Sequence, residues 1–156
     1  MTLALTIFIS LGAIILVISF TKTTPESTVA RSATATTETA TKDGWQPWTQ
    51  RAVDAALAHG RPVFVDFTAA WCLSCKVNEI AALETDSVKQ AFAQNNVALF
   101  RADWTHSDPE ISKTLRQFNR DGVPLYLLYS PKNKDAPQEL PEVLTPGIVL
   151  DALKNL

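Results

Sequence analysis

Two cysteines occur in the 156 residues, three positions apart: Cys72 and Cys75, with Leu73 and Ser74 between them. A framework of structural disulfides is therefore excluded. A bridge between residues i and i+3 closes a very small loop and removes little entropy from the unfolded chain. Stability is a poor reason for such a pair, and reactivity is the better one. The species that attacks a disulfide is a thiolate. Val63-Phe64-Val65-Asp66-Phe67 reads as a buried strand, and helical periodicity runs from Cys72 through Leu83. Cys72 is thus expected where a helix starts, where unpaired N–H groups and the helix dipole favour negative charge. Its pKa is predicted to fall below the free value of about 8.5. Cys75, one turn further on, can attack a mixed disulfide formed at Cys72 and release the product. Cys72 is therefore the expected nucleophile and Cys75 the resolving thiol. Two other readings remain. Half a zinc site would need further ligands, and apart from carboxylates only His59 and His106 exist, neither paired with another His at ligand spacing. The thiols could also be buried and inert.

The elements that must hold this pair lie between Gly44 and Leu156. Pro47 is suited to open a helix, with Trp48, Ala52, Val53, Ala56 and Leu57 at helical spacing before Gly60 and Pro62 end it. After the Val63–Phe67 strand and the Cys72–Leu83 helix, a second helical piece is expected at about 86–94. Val97–Ala102 is the next strand. Ser107-Asp108-Pro109-Glu110 has capping-box spacing with Pro in the first turn, and Ile111, Leu115 and Phe118 form an apolar stripe. Leu125–Tyr129 and Leu140–Leu144 read as two more strands, and Thr145-Pro146 caps a last helix. The order α-β-α-β-α-β-β-α implies an α/β fold, a central mixed sheet with helices on both faces.

Leu3 to Phe20 carries no charge. About 18 helical residues rise roughly 27 Å, close to the hydrocarbon thickness of a bilayer, so 1–20 is expected to be a transmembrane helix. A cleaved signal peptide is the rival, but no Lys or Arg precedes the run and the nearest small-x-small site, Ala33-Thr34-Ala35, is far downstream. Residues 21–43 are rich in Thr, Ala and Ser and have no large apolar residue after Val29, so a flexible tether is expected. Lys22 and Arg31 would weakly place the C-terminal side in the cytosol. The formal net charge of −2, with acids and bases interspersed, gives no sign of a nucleic-acid partner.

Val65-Asp66-Phe67-Thr68-Ala69-Ala70-Trp71-Cys72-Leu73-Ser74-Cys75-Lys76 resembles the thioredoxin superfamily. With Gly60-Arg61-Pro62 before it, and Ala102-Asp103-Trp104-Thr105 and Gly122-Val123-Pro124-Leu125-Tyr126 after it, residues 45–156 resemble the C-terminal domain of DsbD-type thiol:disulfide interchange proteins. The resemblance implies a thioredoxin-like fold and a periplasmic domain that takes electrons from a membrane-embedded or thioredoxin-type donor. It passes them to oxidised periplasmic proteins, including those of cytochrome c maturation. The resemblance outweighs the charge asymmetry and places the domain outside the bacterial inner membrane, held by a single span. A full family member has a polytopic membrane domain with its own cysteines; here there is one apparent span and no other cysteine.

The resemblance also implies roles. Asp66, six residues before Cys72, matches a buried acid that helps deprotonate the resolving thiol; strand alternation puts it on the face of Phe64. Burial would raise its pKa, as a general base needs. The other reading is an Asp turned to solvent. Glu79 lies on the helix face of Cys75, where an acid tunes the cysteines in this family; a solvated acid is the alternative. Pro124 matches a cis-proline facing the pair, which leaves the Val123 backbone free to bind a substrate strand. Trp71 is expected to flank Cys72 as an apolar contact for protein substrates, with core packing as the alternative. Trp45, Trp48 and Trp104 are assigned to core or rim. Lys76 adds positive field near Cys72 or is simply solvated. No cofactor is expected beyond the Cys72–Cys75 disulfide itself. The absence of His between the cysteines mildly favours a disulfide reductase over an anchored oxidase or isomerase. A non-catalytic binding module on the same fold is the third reading.

Overall fold

The computed structural model describes residues 44–156. The expected membrane helix and tether, 1–20 and 21–43, lie outside the described residues. Among those described, no helix is long and apolar enough to cross a membrane.

Five strands form one mixed sheet: β1 (Trp45–Pro47), β2 (Val63–Thr68), β3 (Ala98–Asp103), β4 (Leu125–Ser130) and β5 (Asn133–Leu140), in the order β1-β3-β2-β4-β5. β3 runs parallel to β1 and β2, while β4 is antiparallel to β2 and β5 antiparallel to β4. The helices are α1 (Gln50–Ala58), α2 (Leu73–Asn78, continued as a π-helix over Glu79–Leu83), α3 (Asp86–Gln94), α4 (Pro109–Gln117) and α5 (Pro146–Leu153).

Every residue of β2 is buried, because both faces of the sheet are covered. Val63, Val65 and Phe67 pack with Val53 and Leu57 of α1 and Ile111 and Leu115 of α4. Phe64 points the other way, to Phe92 of α3 and Val149 of α5, with Trp45 and Tyr126 beside it. Because strand side chains alternate, Asp66 belongs to this second face, as expected.

Four expectations are corrected. Pro47 does not open α1: it ends the short edge strand β1, and Thr49 caps the helix by accepting from Ala52 N–H at 3.1 Å. Three residues are too few to show a period, which is why β1 left no mark in the sequence. The cap of α4 is Asp108, not Ser107; the Asp carboxylate takes both Glu110 and Ile111 N–H, while Ser107 sits at φ 56° outside the helix. The last strand is Asn133–Leu140, not Leu140–Leu144. It is an edge strand, exposed except at Leu140 and part-buried Pro137, so no apolar alternation reveals it. Leu140 and Leu144 are both buried, but Pro141 has no N–H for a ladder, and Leu144 N–H goes to the Asn78 side chain instead. Finally, the Cys72–Leu83 helix has the expected span but winds wider over its last five residues. The cap of α5, Thr145 with Pro146 in the first turn, is as expected.

Candidate active site

β2 delivers the chain into a tight turn, and the turn delivers Cys72 to the start of α2. Cys72 N–H donates to Ala69 O at 3.0 Å. Cys72 is the N-cap residue: its sulfur accepts the Cys75 backbone N–H at 3.2 Å and lies 3.4 Å from the Ser74 hydroxyl. Here a sulfur occupies the place where a Ser or Asp oxygen usually satisfies an orphan N–H. Cys72 and Cys75 are joined as a disulfide with Cα atoms 5.3 Å apart. Little of either is open to solvent, 5% of Cys72 and 3% of Cys75.

Two loops frame the pair. The Val123–Pro124 peptide is cis, Pro124 is buried, and the Val123 carbonyl oxygen lies 4.0 Å from Cys72 Sγ. Opposite, Trp71 is 59% exposed, so it is not a core residue. It is nonetheless held in place. Its indole N–H donates to Thr105 O at 3.3 Å, its ring packs against Trp104 at 6.0 Å, and Ala70 N–H donates to the Thr105 hydroxyl at 2.8 Å. Thr105 in turn donates its hydroxyl and N–H to Asp103, which holds that carboxyl below its ordinary range.

Beneath the motif lies a charge cluster. Asp66 is 3% exposed and pairs in register with Arg101 of β3 on one side and Tyr126 of β4 on the other. Arg101 Nε is 3.4 Å from Asp66 Oδ2, close enough for attraction but not hydrogen-bonded, and Asp66 Oδ1 has no hydrogen-bond partner. Burial pushes the Asp66 carboxyl up to about 7; the Glu79 charge adds to this and Arg101 opposes it. Burial, and then the Asp66 charge, also raise the Tyr126 hydroxyl. Glu79 is part-buried rather than turned to solvent. It forms ion pairs with Arg101 Nη2 at 2.7 Å and Lys76 Nζ at 3.0 Å, the latter from a solvent-exposed lysine one turn back. Trp45, assigned to core or rim, lies under the Arg101 guanidinium, 4.9 Å from ring centroid to Cζ. Asn78, 3% exposed, ties α2 to the sheet and to the loop after β5, donating to Tyr126 OH and Glu142 O and accepting from Leu144 N–H.

Ser74, Asn78, Arg101 and Thr105 were not singled out by the sequence. Only Arg101 carried a usable signal, a charge in the middle of a run otherwise buried as Ala98, Phe100 and Ala102.

A CxxC disulfide at a strand-to-helix turn, facing a cis-proline and underlain by a buried acid, defines a thiol–disulfide oxidoreductase site. The chain belongs to the thioredoxin-like family, whose model matches residues 44–131. It is similar to the thiol:disulfide interchange protein DsbD of Ralstonia nicotianae, 37% identical over 86 residues, which are 55% of this chain and 14% of that protein. It is also similar to DsbD 1 of Pseudomonas aeruginosa, 38% identical over 92 residues, 56% of this chain and 15% of the relative. The chain thus spans about one seventh of the curated relatives it matches. Among solved structures, the oxidised C-terminal domain of Neisseria meningitidis DsbD superposes with a TM-score of 0.58 at 25% identity, covering 67% of this chain and 90% of that one. A thioredoxin from Thermus thermophilus, 23% identical with a TM-score of 0.57 over 71% of this chain and 84% of its own, shares the fold.

Proposed function

We propose that the Cys72/Cys75 dithiol reduces protein disulfides or relays electrons between thiol proteins, from a domain held on the periplasmic side of the inner membrane by the 1–20 helix. The observation that carries the reading is Cys72 Sγ itself, capping α2 and facing Val123 O. On reduction, the Cys75 N–H and the Ser74 hydroxyl face the thiolate, and hydrogen bonds to a charged form favour it.

The steps follow from the positions. Cys72 thiolate attacks one sulfur of a partner disulfide; that S–S bond breaks, a mixed disulfide forms, and the partner's other sulfur leaves as thiolate. Cys75 then gives its proton to Asp66, whose carboxyl near 7 is suited to accept it at neutral pH. The Cys75 sulfur attacks Cys72 Sγ, and the partner departs with two electrons gained. Cys72–Cys75 is left oxidised, and a dithiol donor, membrane-embedded or thioredoxin-type, must reduce it again. Trp71 and the Val123–Pro124 turn are the surfaces an incoming chain meets on either side of the sulfur. The DsbD names of the relatives support this reading, and the uncharged Leu3–Phe20 run supports the anchor.

The test is a Cys75→Ala variant of the full chain expressed in a bacterial periplasm. Mixed disulfides should accumulate through Cys72 and vanish in Cys72→Ser. Indifference of both variants would remove the catalytic reading. A glutathione equilibrium placing the pair at the strongly oxidising end of the known range would replace reductase by oxidase.

A further inference from the structure

The turn that faces Cys72 has few polar holds of its own. Residues 119–124 lie between α4 and β4, and Val123 O stands 4.0 Å from Cys72 Sγ. Outside the sheet ladders, Asp121 and Gly122 make no hydrogen bond among the described residues, and Val123 makes no other. On one side Val123 packs against Ala69 and the cysteines. On the other side there is no apolar seam. A cavity of about 290 Å³ opens there, lined by residues 119–124 and by Glu142 from the loop after β5.

One side chain ties the two loops together. Arg120 donates from Nε to Glu139 Oε1 at 3.1 Å and from Nη2 to the same oxygen, while Nη1 is bonded to Glu142. Glu139 belongs to β5. The Glu142 carbonyl accepts from the Asn78 side chain at 2.6 Å, so the far end of the clasp is fastened to α2. A single exposed ion pair adds little to global stability. A planar guanidinium forked onto two carboxylates can still decide where a short loop sits when the loop has no other polar anchor.

Building on the exchange function proposed above, we propose that Arg120 is a positioning residue: by bridging Glu139 and Glu142 it fixes the Val123 backbone beside Cys72 before a partner arrives. It thereby governs how tightly a protein disulfide docks, not how fast sulfur is exchanged. The reason is entropic. Backbone that must be ordered on binding lowers affinity by the cost of ordering it, and a turn already fixed in the free protein avoids that loss. Cys72 and Cys75 are placed by β2 and α2 rather than by this turn, so the exchange steps run alike once a partner is seated. Lysine would keep the charge but lose the fork that reaches both carboxylates.

The experiment pairs nitrogen-15 relaxation of the full-length chain with single-turnover reduction of insulin by its reduced form. In Arg120→Gln the backbone order parameters of Gly122 and Val123 should fall from about 0.85 toward about 0.6, while those of α2 stay in the rigid range. In the reduction, the Cys72/Cys75 dithiol becomes the disulfide and one insulin disulfide becomes two thiols. The half-saturating insulin concentration should rise about tenfold, the cost of ordering roughly one backbone residue, with the limiting rate unchanged. Arg120→Lys should fall between. Glu142→Gln should reproduce part of the effect, and the double variant Arg120→Gln/Glu142→Gln should be no worse than Arg120→Gln alone, because both act on one bridge. Unmoved order parameters at Gly122 and Val123 in Arg120→Gln overturn the proposal, and so does a loss carried by the limiting rate. Should that variant not fold, the same readings on Glu142→Gln decide. If the natural chain reduces no insulin, the functional reading fails instead, and the relaxation data, read without turnover, still decide whether Arg120 fixes the turn.

Discussion

The two faces of β2 are built to different rules. On the α1/α4 face, Val63, Val65 and Phe67 pack into a hydrophobic cluster with Val53, Leu57, Ile111 and Leu115. On the other, Phe64 begins the same way, but two residues on the strand spends that position on Asp66, with Arg101 and Tyr126 beside it and Asn78 above. Six consecutive residues therefore divide into one row that supplies stability and another that gives some up for a titrating group. The comparison teaches where the titrating group is kept: on the face that also carries Arg101, Tyr126 and Asn78, apart from the apolar row, in a buried site that raises a carboxyl toward neutrality.

That contrast can be broken by experiment, beginning with the apolar row. Phe67→Ala, at a fully buried site, is expected to cost about 3–5 kcal/mol in denaturant unfolding, whatever the pH. Asp66→Asn should act in the opposite direction. The Asp66 carboxyl stands at about 7 in the folded chain against 3.8 for an unperturbed one. Between those values the folded state binds the extra proton, so stability falls as pH rises and the full penalty is present above 7. The variant should therefore be more stable than the natural chain at pH 8, on the order of a few kcal/mol, with the gap closing toward pH 4, while resolution slows. A variant less stable at pH 8 than at pH 4 relative to the natural chain would erase the distinction between the faces. Asn78→Ala, which removes three hydrogen bonds and leaves Leu144 N–H without its partner, should cost about 1–3 kcal/mol. Trp71→Ala should change stability least, within about 0.5 kcal/mol for an exposed site, yet raise KM for protein disulfides and leave small-molecule disulfides unaffected.

What the sequence displayed depends on how locally each feature is encoded. The strand–turn–helix around Cys72 is written in adjacent residues, and its apolar periods, caps and turn are all short-range. Asp66 was legible because alternation fixes its face, and Pro124 through the resemblance. The partners of Arg101 and Asn78 were not: the first, though conspicuous as a charge inside a buried run, meets Asp66 only through strand register across 35 positions, and the second meets Leu144 across 66. No single-chain pattern encodes which strand neighbours which. β5 was misplaced for the opposite reason. Its residues face water, so burial imposed no period on them, and the apolar pair that does show a period, Leu140 and Leu144, brackets a loop.

Both borders of the sheet end in the same way. β1 is three residues long and finishes in Pro47; β5 carries Lys134, Asp135 and, inside it, Pro137. Proline offers no N–H, and charge and brevity discourage a neighbour's strand from zippering on. The large apolar side chains left in the open among the described residues, Trp71, Leu73, Val77, Ile80 and Val143, lie beside Cys72, along its helix, and in the loop that Asn78 pins to that helix. The sheet's flanks thus discourage a lasting strand pairing, while the apolar side chains left open gather around Cys72, its helix and the loop tied to it.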